Sequence, residues 1–310
     1  MMSVIDREDE YKKEKEAGHP NTPPDRLAEL AKDRAWGVRY CVAYNKSTPP
    51  EVLERLAKDR SRNVRCEVAR NISTPLNSLA VLANDKDWQV RCTVAGNPFT
   101  PPEALAQLAS DGDGSVCMYV AENPYTPPKV LIQLANDERV YVRDRVAYNP
   151  STPPGILAQL AYDSHPEVRH EVAKNTFTPP GILTLLAQDE DEGVRRGVAR
   201  NISSPTDILI RLANDEKEYV QSGLATNPNT PPDILARLAK NGDGGVRWSV
   251  AANRSTPPEA LAQLAKDENK DIRKVAQANP NAPIDLSRVS VNAPTVSATE
   301  LAQPNGMEIG

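Results

Sequence analysis

Four cysteines, Cys41, Cys66, Cys92 and Cys117, are the residues of this chain best suited to metal or redox chemistry. Four thiolates could hold zinc or an iron–sulfur centre, and pairs could form disulfides. They occupy positions 23, 22, 22 and 21 of four successive copies of a 26-residue unit. The unit is counted from an Asn that recurs at Asn45, Asn71, Asn97, Asn123, Asn149, Asn175, Asn201, Asn227, Asn253 and Asn279, with His19 in the equivalent place before the first. A period of this size means a stack of one supersecondary unit. Like positions of neighbouring layers then lie about 8–10 Å apart, whereas the ligands of one zinc lie within about 2.3 Å of the metal and the Cα atoms of a disulfide within about 7 Å. The thiols are therefore read as reduced structural side chains, with a metal or redox role as the competing reading; no metal site and no cofactor are expected.

Acid–base chemistry finds little support. The histidines are His19, His165 and His170, and no GxSxG, HExxH or phosphate-binding loop is present. The GDG segments at Gly112–Gly114 and Gly242–Gly244 lack the oxygen ligands of a calcium loop and read as tight turns. Asp stands at position 15 in nine units, with Asn241 as the exception, and Arg stands at position 21 in eight, with Cys117 and Gln221 as exceptions. Catalysis needs one special constellation, and this pair is nearly everywhere. It reads as a ladder of Asp–Arg hydrogen bonds, within or between layers, and the protein reads as a non-enzyme.

The elements that must hold these residues follow from the unit, roughly NPxTPPExLAxLAxDxDxxVRxxVAx. Leu at positions 9 and 12 and Ala at position 13 mark one face of a helix over about positions 5–14. Thr or Ser at position 4 is read as its N-cap, Pro at position 5 as N1, and acids such as Glu51, Glu103, Asp233 and Glu259 as completing a capping box. Val at position 20, Val or Leu at position 24 and Ala at position 25 predict a short second helix, α or partly 3₁₀. The returning Asn is expected to end it, because Asn tolerates the left-handed conformation of a helix cap and its side chain can bond nearby backbone.

The fold class is thus all-α: a solenoid of ten two-helix repeats starting at residues 19, 45, 71, 97, 123, 149, 175, 201, 227 and 253, with a partial one at 279. Residues 1–18 are expected to form a polar N-terminal cap, 19–286 the solenoid and 287–310 a flexible tail. Aromatic residues are 5% of the chain, so Leu, Val and Ala must build the core. The net charge of −5, the absence of an apolar stretch of about 18 residues and the charged start lead us to expect a cytoplasmic protein with no membrane partner.

The repeat, as it stands in Asn97 to Glu122 and Asn227 to Ala252, resembles the leucine-rich repeat variant family. That resemblance implies a right-handed, HEAT-like superhelix of paired α and 3₁₀ helices with a scaffold-like role and no common reaction. One architecture of that family carries an N-terminal cysteine cluster for a 4Fe–4S centre; residues 1–40 contain no Cys, so that module is not expected here.

Function is then sought in the positions that vary. On the second helix these are 22, 23 and 26, which carry Tyr40, Tyr44, Arg70, Tyr119, Tyr148, His170, Arg196, Arg200 and Trp248. Aromatics and Arg are enriched at protein-binding hot spots, so a protein partner is expected on this strip; an ordinary solvated face is the bland alternative. Nucleic acid is a lesser candidate, because acids interrupt the basic track of Arg70, Arg145, Lys174, Arg196, Arg200 and Lys274. A block of about three repeats, 45–122, also matches 175–252 at an offset of 130 residues, with Arg70-Asn71-Ile72-Ser73 returning as Arg200-Asn201-Ile202-Ser203.

Overall fold

The computed structural model describes residues 4–283, and among them the chain forms 21 α-helices and no strand. Helix α1 is Val4–Ala17; each unit then adds a first and a second helix, from α2 (Pro24–Leu30) and α3 (Trp36–Tyr44) to α20 (Pro258–Leu264) and α21 (Lys270–Ala278). The tail expected at 287–310 lies outside the described residues. Between the helix layers runs one continuous core in which Leu of the first helices meets Val and Ala of the second, as at Leu157, Val168, Val172 and Ala173, all fully buried.

Both helices of the unit are α, so the allowance for a partly 3₁₀ second helix is not needed. The first helix is shorter than expected, positions 6–12 in nine units. Its start also differs. Pro at position 5 is the N-cap residue and no side chain caps the first turn, so the capping box does not form. The position-4 hydroxyl turns the other way and donates to the position-24 carbonyl of the preceding second helix, as in Thr48 to Val42 at 2.6 Å and Thr178 to Val172 at 2.6 Å. A helix leaves its last carbonyls without partners, and a buried one needs a donor more than a solvated first turn needs an acceptor.

The recurring Asn solves the same problem across layers. Asn175 donates from Nδ2 to the carbonyls of Ala147 (2.8 Å) and Asn149 (3.1 Å) in the layer below, while its Oδ1 accepts the Phe177 amide at 3.0 Å. From Asn45 to Asn279 every such side chain reaches the Ala carbonyl 28 residues earlier. The left-handed conformation that Asn tolerates is not adopted: Asn175 sits at φ −65° and ψ 119°, and no described non-Gly residue has positive φ. Asn is required for its carboxamide, which supplies two donors and an acceptor at one buried point. His19 keeps only the local bond, Nδ1 accepting the Asn21 amide at 3.2 Å.

The Asp–Arg ladder is present and runs between layers. Arg169 grips Asp189 of the next unit through two bonds of 2.6 and 2.9 Å, and its third nitrogen donates to the Asp163 carbonyl of its own unit. The rung is largely buried, with side-chain exposures of 12% and 9%. Burial pushes the Asp189 carboxyl up, but Arg169 and the Asp191 amide outweigh it and hold the group below the usual carboxylate range.

Two of the three sequence exceptions, Gln221 and Asn241, stand 20 residues apart, the spacing of Arg and Asp in a rung. Gln221 and Asn241 would face each other across one rung, so both charges are lost together and neither is stranded; Gln221 still donates to the Asp215 carbonyl at 3.1 Å. Cys117 breaks a second rung, and there Arg139 of the following unit takes over Asp137 with two bonds of 2.7 Å. Gly114 makes room for it, since a Cβ there would collide with Tyr141 and Arg139.

Helix α1 follows the register of a second helix. Ala17 is buried and its carbonyl receives Asn45, the Glu16 carbonyl receives the Thr22 hydroxyl, and Lys13 meets Asp33 at 3.3 Å where a rung Arg would stand. The polar sequence at the start therefore continues the stack.

Three outcomes are expected. Asn175→Asp keeps shape but places a carboxylate against two carbonyls; it is predicted to cost about 3 kcal/mol or more, read from the denaturant midpoint. In a double-mutant cycle, Arg169→Gln and Asp189→Asn should each destabilise by about 2–4 kcal/mol, while the pair, which copies Gln221–Asn241, costs clearly less than their sum. Because the rung aspartates are held below their ordinary value near 3.8, their stabilisation is complete above that pH and is lost as pH falls below it. A melting temperature that stays flat through this acid range would show that the rungs contribute nothing.

Candidate functional site, the second-helix face

Second helices of successive layers pack directly on one another, whereas most first helices pack mainly on their own second helix. The second helices therefore form the closely packed side of the stack. The approach is tightest around α13 (Pro166–Lys174), α15 (Glu192–Arg200) and α17 (Glu218–Thr226). There Gly197 and Gly223 stand at position 23, where a Cβ would lie 2.9 Å from the Cβ of Ala173 or Ala199.

The strip residues fall into separate grooves along this side. Near the N-terminus, Tyr40 is half-buried and packs edge-to-face on Trp36, with ring centroids 6.3 Å apart. Burial, then the nearby Glu67 carboxylate, pushes its hydroxyl above the ordinary pKa. Arg70 is tied to Glu67 at 2.6 Å. These residues, with Cys41 and Cys66, line a groove of about 590 Å³, and a neighbouring one brings Arg70 together with Trp88, Cys92 and Tyr119. Further along, the Arg145 guanidinium lies 5.6 Å from the Tyr148 ring centre, and Tyr148 shares a groove with Phe177 and Lys174. His170, Arg196 and Arg200 come together in the next groove. Tyr44 and Trp248 are exposed but stand outside these grooves.

All four cysteines are free, and among the described residues no three His, Cys, Asp or Glu side chains converge as metal ligands would. Burial raises every thiol above its usual pKa, Cys92 to about 12, which opposes thiolate formation. Cys117 is fully buried; its thiol lies among the Ala109 and Asp111 carbonyls and 3.4 Å from an Arg139 nitrogen.

Exposed aromatic residues also lie outside positions 22, 23 and 26. Trp36, Trp88, Tyr141 and Tyr219 at the start of the second helix, and Phe99, Tyr125 and Phe177 just after its end, are also exposed. Their residue type was the available signal. Of two Phe, three Trp and nine Tyr, all but Tyr162 lie on a second helix, on α1 or in the loop after a second helix.

Two family sequence models match the chain: the Leucine Rich Repeat Variant domain over residues 142–202, and Leucine rich repeat variant over 88–113, one full period. No curated protein matches it. Among solved structures it is similar to a leucine-rich repeat variant described as having a novel repetitive structural motif, at 27% identity over 72% of this chain and 88% of that one, with a TM-score of 0.49. It is also similar to YibA of Escherichia coli, at 19% identity over 86% of this chain and 98% of that one, with a TM-score of 0.38.

One strip residue is held against its own stability. Asp144 sits at position 22 with 17% of its side chain exposed; burial raises its carboxyl above the ordinary value, and Arg145 at 3.2 Å offsets this only in part. A raised carboxyl destabilises the fold once pH rises past its unfolded pKa. Asp144→Asn is therefore expected to raise the melting temperature at pH 7, with the advantage vanishing below about pH 4. A variant less stable at pH 7 would contradict this account.

Proposed function

We propose that the chain is a leucine rich repeat variant protein, as the models matching residues 88–113 and 142–202 suggest, and that it is a non-enzymatic scaffold that captures a protein partner on its second-helix face. One observation carries the reading: this chain keeps its aromatic residues out of the deep core. Burying an aromatic side chain is strongly favourable, yet Leu, Val and Ala fill the interior, while Trp36, Trp88, Tyr148 and Trp248 are about half exposed on one side of the stack. Aromatic side chains flanked by Arg supply large contact area at low entropic cost and recur at binding hot spots.

The repeating residues support the same reading by elimination. Asn, Thr, Asp and Arg are consumed by bonds between and within layers, which leaves the variable positions free to contact something else. Among the described residues no helix is long and apolar enough to cross a membrane, and we place no membrane contact in the proposal.

Affinity capture from the native host tests the reading. Wild type and a Tyr148→Ala, Arg200→Ala, Trp248→Ala variant should melt alike, because these side chains lie outside the core, and the variant should lose the partners that wild type retains. If the variant retains the same partners at the same yield, this face is not the docking surface.

A further inference from the structure

We infer that the groove between the sixth and seventh units is an anion-recognising subsite that takes the carboxylates of an acidic peptide segment. This rests on the scaffold reading and names the chemistry of the partner at one place on the face.

The groove, about 320 Å³, is lined by His170, Lys174, Arg196, Arg200 and Ile202. Lys174 is already paired with Glu171 at 2.7 Å. The two arginines are not: among the described residues no carboxylate lies within ion-pair distance of Arg196 or Arg200. The Arg196 guanidinium carbon instead lies 4.0 Å from the Tyr219 ring centre, Nη1 donates to the Tyr219 hydroxyl at 2.6 Å, and Nε is buried without a partner. That stacking fixes the fork while leaving its charge uncompensated. The carbonyl of Gly193 accepts from His170 Nδ1 at 2.7 Å, which turns the tautomer so that Nε2 is the free nitrogen.

The related groove 130 residues earlier shows that this charge belongs to one site and is not general to the face. There Tyr40, Tyr44, Cys66 and Arg70 occupy the places of His170, Lys174, Arg196 and Arg200, and Glu67, which neutralises Arg70, occupies the place of Gly197. The same backbone thus carries a compensated groove at one end and a cationic one five units away. At Gly197 no acid is present, and the close approach of Ala173 leaves no room for one.

Guanidinium groups in a partly desolvated groove recognise carboxylates through charge-assisted, often bidentate bonds. Ile202 and Thr176 beside them suit aliphatic portions of a peptide. A nucleic-acid strand needs a continuing positive track, and here Asp144, Glu171, Glu192 and Glu218 interrupt it on the same and neighbouring second helices. The chain as a whole carries −5.

The test is fluorescence anisotropy with three labelled probes: a short alternating Glu–Leu peptide, its Gln–Leu counterpart, and an oligothymidylate of equal charge. The Glu–Leu peptide should bind the full chain at least about tenfold more tightly than either other probe, a factor equivalent to about 1.4 kcal/mol. Arg200→Glu should abolish most of that binding, and Arg70→Glu should leave it unchanged. Equal binding of the Glu and Gln peptides, tighter binding of the oligonucleotide, or equal losses in the two variants would each overturn the proposal. If the Glu peptide fails to bind while the triple alanine variant still loses its partners, the subsite is wrong and the scaffold reading stands.

Discussion

The rest of the structure depends on how the second helix ends. A helix of any length leaves its last carbonyls without intrahelical partners, and here successive ends stack inside the protein, away from water. The position-24 carbonyl accepts the returning Asn amide together with a hydroxyl six residues on, and the position-25 carbonyl is met by a carboxamide 28 residues on. Because the carboxamide comes from the next layer, the bond that completes one helix also joins two units. This is why the period admits no register slip. An inserted residue would leave buried carbonyls unpaired and strand a rung Arg at the same time.

The three sets of recurring bonds divide the work. Hydroxyl to position 24 closes the turn, carboxamide to position 25 ties adjacent layers at one edge, and guanidinium to carboxylate ties them at the other. The carboxamide ladder is intact from Asn45 to Asn279, while among the described residues the charged one is broken twice. The breaks follow the physics of buried charge: at Gln221–Asn241 both charges vanish, and at Cys117 a different Arg neutralises the Asp that remains. Surface chemistry is thereby separated from fold chemistry, and the aromatic and charged residues of the second-helix face can differ from layer to layer without disturbing the stack.

Much of the fold was legible in the chain. The Leu, Leu and Ala of each first helix, as in Leu157, Leu160 and Ala161, and the Val and Ala of each second, as in Val168, Val172 and Ala173, identified the helices and the core because apolar spacing is a local property. The roles of Thr and Asn were legible only in part: the Asn side chain does bond nearby backbone, as Oδ1 of Asn175 accepts the Phe177 amide, but the first-turn cap and the left-handed conformation are absent because the other partners lie in a different helix. The candidate site was legible in part. Arg196 and Arg200 were found from variability, but Trp36, Trp88 and Tyr219 were missed because they sit at the edge of the helix, where spacing alone does not show which side chains reach the common face.

By itself the sequence determined the period, the number of layers, the composition of the core and the absence of recognisable catalytic motifs, because each follows from residue type and spacing along the chain. Only the tertiary structure decided that Arg169 pairs with Asp189 rather than with the Asp163 side chain, that Arg139 takes over Asp137, and that Arg70 is neutralised while Arg200 is not. Those facts depend on which residues the stacking of layers brings within about 3 Å of one another, and a repeating sequence offers several equally spaced candidates for every bond.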